Sequence, residues 1–372
     1  MGSSSGRKVE DVDASSSTRH RLPTARLVVG VGVGALAVWF VVSTAGGLAD
    51  AGDSMRQMRP GWLAAVALAA FVRIGLYGLQ IRWLARRSGP ISVGAALGLS
   101  FVVFGFGAVT PAAPAEGLAL AARDLRSRGR SKQQARLTLG LSEWFAQRTF
   151  YAVTAINLVV VVSVGHLAWA ESWPFALAGV LVIVLLAVTA GLARRPASAE
   201  RAAVILGALR FGRPGPAPAD RRQAATAWHG AAMNIVGRPT NRLRLVAVSA
   251  AAVLVDAAAL WAACTASGIH LSFEVVVLAA TVGTMASWIP LLPGGLGLVE
   301  GVIPVVLHRF GVPLAGGLAA TVAYRALGTL VPALAGAGVA AAVRSRSTRH
   351  RHERLGARGS RNEEPDLPIS DR

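Results

Sequence analysis

The sequence lacks most of the groups that soluble enzymes and secreted scaffolds depend on. Cys264 is its single cysteine in 372 residues, which excludes an internal disulfide framework and any cysteine-based metal site. The seven histidines are scattered, and no pair has the spacing of a zinc site on one helix. No cofactor or metal is expected. Charge is also scarce. Asp, Glu, Lys and Arg make up 15% of the residues, against about a quarter in an average soluble domain, so the chain cannot cover a large water-facing surface. A myristoylation signal fails at Gly6, where "MGSSSG" would need Ser or Thr. No small-residue cleavage site follows the first apolar block, so residues 1–26 are expected to form an uncleaved cytoplasmic tail.

What is present is apolar. Hydrophobic residues make up 53% of the chain and gather in blocks of roughly 18 residues or more, the signature of membrane-spanning helices. The formal charge of +19 does not point to nucleic acid, because the arginines collect between these blocks as the positive-inside rule requires. The expected fold is all-α, a polytopic transmembrane helix bundle over residues 27–343, followed by a basic cytoplasmic tail at 344–372.

The blocks run Leu27–Leu48, Trp62–Trp83, Ile91–Val109, Leu137–Ala168, Trp173–Ala193, Leu243–Ser267, Phe273–Ile289 and Leu314–Val343. "TPAAPAEG" (Thr110–Gly117) breaks the third, and the basic "RDLRSRGRSKQQAR" (Arg123–Arg136) follows it. "PLLPGGLG" breaks the seventh before a short return to about Leu307. Ten arginines lie between Arg194 and Arg244 against Glu200 and Asp220, so the connector 194–242 is expected to be cytoplasmic. Within it, "RRQAATAWHGAAMNIV" puts Ala224, Trp228, Ala232 and Val236 on one helical face. It reads either as an amphipathic helix on the inner leaflet or as part of a Pro-Gly-Arg linker.

Loop charge constrains the path. Arg82, Arg86 and Arg87 precede the third block, and Arg123–Arg136 follow its break, so both flanks belong on the cytoplasmic side. Ile91–Val109 could rise roughly 28 Å as a helix, but the return from Ala115 to Ala122 is too short to span. A re-entrant hairpin turning at Pro111–Pro114 satisfies both. By the same reasoning Phe273–Leu307 begins and ends outside, as a second hairpin entering from the opposite face. The expected architecture is therefore an inverted repeat, with repeat 1 at about 62–168 and repeat 2 at about 243–343, of the kind that builds transport sites near mid-membrane.

The hairpin turns are assigned to Pro111, Pro114, Pro290, Pro293, Gly294, Gly295 and Gly297. Irregular backbone at membrane depth is tolerated only inside protein or beside a water-filled cavity. The helix restarting after "PGGLG" should present its N-terminus to that cavity, where an anionic group such as a phosphate would be favoured. Charged residues accompany the turns. Arg73 and Asp256 sit midway along corresponding blocks, and Glu116, Glu143, Arg148, Glu300 and Arg325 lie on or beside the hairpins and the helices after them. Such residues usually face a bundle interior or an aqueous cavity, often paired. Two structural pairings compete with a pathway role: Arg73 with Asp256, and Glu143 with Arg325.

"P-x-x-P-G-G-L-G-x-x-E" at Pro290–Glu300, then Gly311, then "AYRALGTLVPALAG" at Ala323–Gly336, resembles the lysylphosphatidylglycerol synthase transmembrane (flippase-like) family. The family's first-half element finds counterparts in Pro111, Pro114, Glu116, Arg123–Arg136, Glu143 and Arg148, with Ala115 standing where Gly is commoner. The resemblance is most specific at Pro290–Glu300 and at Tyr324–Arg325. It implies a module in the bacterial cytoplasmic membrane, both termini inside, that moves lipids between leaflets. In bifunctional members a soluble aminoacyltransferase domain follows. The short tail here leaves lysyl transfer unexpected.

Three functions compete. The first is a translocase for an anionic or polyprenyl-phosphate-linked lipid, lined by Glu116, Glu143, Arg148, Glu300, Tyr324, Arg325, Arg73 and Asp256. The second is a membrane-embedded transferase using Glu116 or Glu300 as general base, disfavoured because no metal triad is evident and no acidic DxD loop lies between the apolar blocks. The third is an accessory subunit or scaffold for a separately encoded lipid, cell-envelope or glycosyltransferase synthase. A homo-oligomer is compatible with each.

Overall fold

Two helices of the bundle open in the same way, with an arginine followed by proline. Proline at the first helical position surrenders an N–H that has no intrahelical partner, and its fixed φ suits the first turn. These helices are α1 (Pro60–Ala85) and a later one, Pro239–Ala266. The computed structural model describes residues 55–106, 113–165, 169–194, 229–288 and 297–336, with residues 53, 226, 295, 338 and 339 besides. The first apolar block, the turn residues Pro111, Pro290, Pro293 and Gly294, and most of the connector lie outside them.

After α1 come α2 (Val93–Phe101), which runs into a π-helical turn at Val102–Phe106, and α3 (Ala113–Ser127). Then follow α4 (Lys132–Ser163), α5 (Trp169–Arg194), α6 (Pro239–Ala266), α7 (Phe273–Ser287), α8 (Leu298–His308) and α9 (Leu314–Arg325). A second π-helical turn, Ala326–Leu330, continues α9. Among the described residues there is helix and no strand. Four of these helical segments are long and apolar enough to cross a membrane: Pro60–Ser88, Lys132–Ser163, Pro239–Ala266 and Leu314–Gly336. By contrast α7 and α8, with 15 and 11 residues, reach only about 22 and 16 Å at 1.5 Å per residue, short of a hydrocarbon core of about 30 Å.

The basic stretch Arg123–Arg136 is largely helical. α3 runs on to Ser127 because Leu120, Ala121 and Leu125 are buried on one face, while Arg128 pairs with Asp124 one turn back at 2.8 Å. α4 starts five residues before its apolar block. Ser131 and Gln134 form a reciprocal capping box there, with Oγ accepting from Gln134 N–H at 3.1 Å and Oε1 accepting from Ser131 N–H at 2.9 Å.

α1 and α6 pack antiparallel along their whole length. Arg59 N–H donates to Ala266 O at 3.1 Å at one end; Arg73 meets Asp256 near the middle, Gln80 meets Ser249, and Leu84 and Leu245 share a cluster at the other end. Of the connector, residues 226 and 229–242 are described. Residues 229–236 form a short helix whose Ala232 and Ile235 are buried against Leu84, Leu141, Phe145 and Leu245. This part of the expected stretch is helical, and its apolar face packs on the ends of α1, α4 and α6; Ala224 and Trp228 lie outside the described residues. Asn241 Nδ2 donates to Ile235 O at 2.9 Å and fixes its end.

The short helices pair. A Cβ on Gly117 of α3 would lie 2.7 Å from the carbonyl oxygen of Val103, and one on Gly283 of α7 would lie 2.6 Å from Ile303 of α8. Gly295 backs onto Ser287 while Gly283 faces Ile303, so α7 and α8 run antiparallel. Each pair starts and finishes at one end of the bundle. Arg130, after α3, donates to Ser88 O at 2.6 Å and to Pro90 O at 2.8 Å, before α2. Leu271, before α7, packs in one cluster with Leu307 and Val312, at and beyond the end of α8. The first pair closes near Leu84 and the second near Ala266, at opposite ends of α1 and α6.

Arg130→Ala removes two charge-assisted bonds that close the first pair. Such bonds contribute ~1.5–3 kcal/mol each when buried, and these are partly exposed. We expect a loss of about 1–2 kcal/mol, read as an earlier thermal transition in detergent.

Outside the bundle, α5 leaves Trp173, Leu177, Val180, Leu181 and Ile183 exposed, an apolar surface of the kind that lipid covers.

Candidate functional site

A cavity of about 530 Å³ opens inside the bundle, and its polar lining comes from helices that the apolar pattern alone does not connect. α1 supplies Arg73, Tyr77 and Gln80; α4 supplies Glu143 and Gln147; α6 supplies Ser249 and Asp256. α7 adds Thr281, Thr284 and Ser287, while Tyr324, Arg325 and Thr329 come from α9 and the turn that continues it. Both short-helix pairs reach it, the first through Val103 and Phe104 and the second through Val299 and Ile303.

Antiparallel packing explains the first layer of this lining. Arg73 and Gln80 are seven residues apart on α1, as are Ser249 and Asp256 on α6, so each pair lies on one helical face. Running the helices in opposite directions matches Arg73 with Asp256 and Gln80 with Ser249. Arg73 Nε lies 3.3 Å from Asp256 Oδ1, and Gln80 Oε1 accepts from Ser249 Oγ at 3.2 Å. Gln80 also donates to Ser142 O at 3.1 Å, tying α4 to the same layer. Tyr324 then donates its hydroxyl to Asp256 Oδ2 at 3.0 Å, and Arg73 Nη2 donates to Gly328 O at 3.3 Å. The guanidinium of Arg73 sits 5.2 Å from the centre of the Phe104 ring.

A second ion pair adjoins the first through the chain itself, since Tyr324 and Arg325 are consecutive. Arg325 Nε donates to Glu300 Oε1 at 3.0 Å. The other oxygen of Glu300 accepts from the backbone N–H of Gly297 at 2.7 Å, so the carboxylate reaches back over the first turn of its own helix. Gly297 has φ of 83°, a conformation that favours glycine.

This arrangement corrects one expectation. Glu143 and Arg325 do not pair: Arg325 is held by Glu300, and Glu143 accepts a hydrogen bond from the Tyr77 hydroxyl. At the start of α8, the N–H of Gly297 is already taken by Glu300. The alternative pairing of Arg73 with Asp256 does form.

Of the expected pathway residues, Arg73, Glu143, Asp256, Tyr324 and Arg325 line the cavity, and Glu300 touches it through Arg325. Arg148 stacks its guanidinium 4.0 Å from the centre of the Trp144 ring and is not among the lining residues. Pro114 and Glu116 fall within α3, but their side chains lie outside the described residues. Gly295 and Gly297 are described, both with positive φ. Tyr77, Gln80, Gln147, Ser249, Thr281 and Thr284 were not singled out from the sequence. The seven-residue spacing of Arg73 with Gln80 and of Ser249 with Asp256 was the available signal for two of them.

Among the described residues no cluster of His, Cys, Asp and Glu could hold a metal. Taking charges out of water is costly, and a buried ion pair is weak evidence of stability by itself. Two adjoining pairs around a cavity in an apolar bundle instead suit transient contact with a charged or hydroxylated group.

Comparison with curated proteins found no match. The family described as "Lysylphosphatidylglycerol synthase TM region" matches residues 27–336, a span that contains every residue lining the cavity, and the chain belongs to that membrane-protein family.

Proposed function

We propose that this protein is a translocase that moves an anionic or polyprenyl-phosphate-linked lipid between the leaflets of a bacterial cytoplasmic membrane. The observation that carries the reading is the cavity, where two Arg–carboxylate pairs and a set of hydroxyl and amide groups sit within an apolar bundle. A lipid headgroup passing through needs partners to replace its water, and exchangeable ion pairs supply them in either sign. Glu300, held by Arg325 and by Gly297 N–H, acts as a binding group and not as a base, so the lipid crosses without covalent change.

The two pairs of short helices are read as re-entrant hairpins of an inverted repeat. Their lengths support this, as does their closure at opposite ends of α1 and α6. The end near Leu84 carries Arg82, Arg86, Arg87, Arg123, Arg126 and Arg130, and by the positive-inside rule it is the cytoplasmic end. Both termini then face the cytoplasm.

The test is exchange of fluorescent phospholipid between leaflets in proteoliposomes holding the purified full chain. We expect Arg325→Ala and Glu300→Gln each to slow exchange by about tenfold or more, the effect of ~1.4 kcal/mol on the barrier. Parental rates in both variants would reject the assignment.

A further inference from the structure

Among the described residues, three carboxylates and two arginines belong to the cavity network, and only two of the carboxylates are matched by them. Asp256 has Arg73 and Tyr324, and Glu300 has Arg325. The third, Glu143, takes its hydrogen bond from a neutral phenol, the Tyr77 hydroxyl. Tyr77 is itself buried and is held edge-on against Phe104, ring centres 4.8 Å apart.

The other ionisable groups facing this cavity are accounted for. α1 contributes Arg73, α6 contributes Asp256, and α9 contributes Tyr324 and Arg325 with Glu300 behind it. Among the described residues, α3, α5 and α7 contribute no ionisable side chain to the lining; the side chain of Glu116 on α3 lies outside them. On α4 itself the neighbouring Gln147 is neutral, and Arg148 stacks on Trp144. Among the described residues, no cation lies within ion-pair distance of Glu143.

Glu143 is half-buried and faces the cavity. An ionised carboxylate partly withdrawn from water is costly unless a charge or several hydrogen bonds compensate it, and one phenol offsets only part of that cost when the cavity excludes water. The cost vanishes when Glu143 takes a proton. A metal ion is a poor substitute, since hard cations take six or more oxygen ligands and no group of three metal-binding side chains occurs among the described residues. We infer that Glu143, with Tyr77, is a proton-binding site in the cavity, loaded when the cavity closes to water and emptied when it opens. The step is balanced: a hydronium ion delivers its proton to a carboxylate oxygen of Glu143 and leaves as water, and bulk water takes the proton back on opening. The second half of the inference, which rests on the translocase reading above, is that lipid movement is coupled to proton movement.

Two measurements on the full chain in proteoliposomes separate these statements. Infrared difference spectra recorded across a pH titration should show a protonated-carboxyl C=O band that rises and falls with pH and is lost in Glu143→Gln, whose amide still offers Tyr77 an acceptor. Absence of the band from the parent, or its persistence in Glu143→Gln, overturns the site. Fluorescent-lipid exchange by the parent is then compared with and without an imposed pH difference of about one unit. One proton moved per lipid alters the ratio of inward to outward exchange by up to roughly tenfold. Exchange that ignores the gradient overturns the coupling and leaves the translocase reading standing. If the parent exchanges no lipid at all, that reading and the coupling fail together, and the infrared band alone decides the proton site.

Discussion

Asp256→Leu lowers stability by about 3–4 kcal/mol, whereas removing Arg73 and Asp256 together costs far less. Breaking a buried pair from one side costs ~3–5 kcal/mol, because the partner is left charged and uncompensated. Here the side chains of Arg73 and Asp256 retain 21% and 18% exposure toward the cavity, which places the loss at the lower end of that range. Tyr324 also loses its acceptor on Asp256, adding about 1 kcal/mol. Arg73 keeps only the Gly328 carbonyl at 3.3 Å and the face of Phe104. The double substitution Arg73→Met with Asp256→Leu removes both charges and fills the space with apolar atoms, which is often neutral or stabilising. Denaturant titration of the four proteins in detergent gives the coupling energy directly. Single variants within about 0.5 kcal/mol of the parent would mean that water in the cavity already screens the pair. The double variant also separates structure from function, since the pathway reading requires it to be folded and slow in lipid exchange.

The amino-acid pattern reveals some layers of this bundle and hides others. Arg73 and Asp256 could be paired from sequence because two apolar blocks with opposed directions each carry one charge near the middle. The close approach of α2 and α3 agrees with what the sequence suggested for a different reason, since arginines flank Ile91–Val109 on both sides. The extents of α3 and α4 were not legible, because charge in "RDLRSRGRSKQQAR" breaks the apolar pattern while Leu125 and the Ser131–Gln134 capping box favour helix. The choice of Glu300 over Glu143 as the partner of Arg325 depends on the turn at Gly297, which swings the carboxylate back over its own helix. No periodicity encodes that. The docking of residues 229–236 was hidden for a related reason, since an apolar face is the same whether lipid or protein covers it. Tyr77 escaped notice because a tyrosine in an apolar run is ordinarily core, and only the tertiary contact with Glu143 distinguishes it.

Gly295→Val costs about 2–5 kcal/mol and abolishes lipid exchange, while Gly129→Ala costs only about 1–2 kcal/mol. Both glycines hold left-handed backbone, with φ of 68° and 83°, which penalises an L side chain by ~1–2 kcal/mol. Their surroundings differ. Nothing lies within 4 Å of a Cβ built on Gly129, whereas one on Gly295 meets Ser287 Cα at 2.6 Å and Ser287 Cβ at 2.9 Å. Backbone cannot rotate away as a flexible side chain can, so α7 must shift, at the ~1–3 kcal/mol typical of overpacking. That shift would not stay local. Ser287 lines the cavity, and Gly297, two residues after Gly295, holds Glu300 in the position that meets Arg325. Thermal unfolding in detergent with exchange measured on the same preparations checks both parts. Equal losses in the two variants would show that α7 and α8 yield easily, and the close approach of the second pair would then not be what positions Glu300.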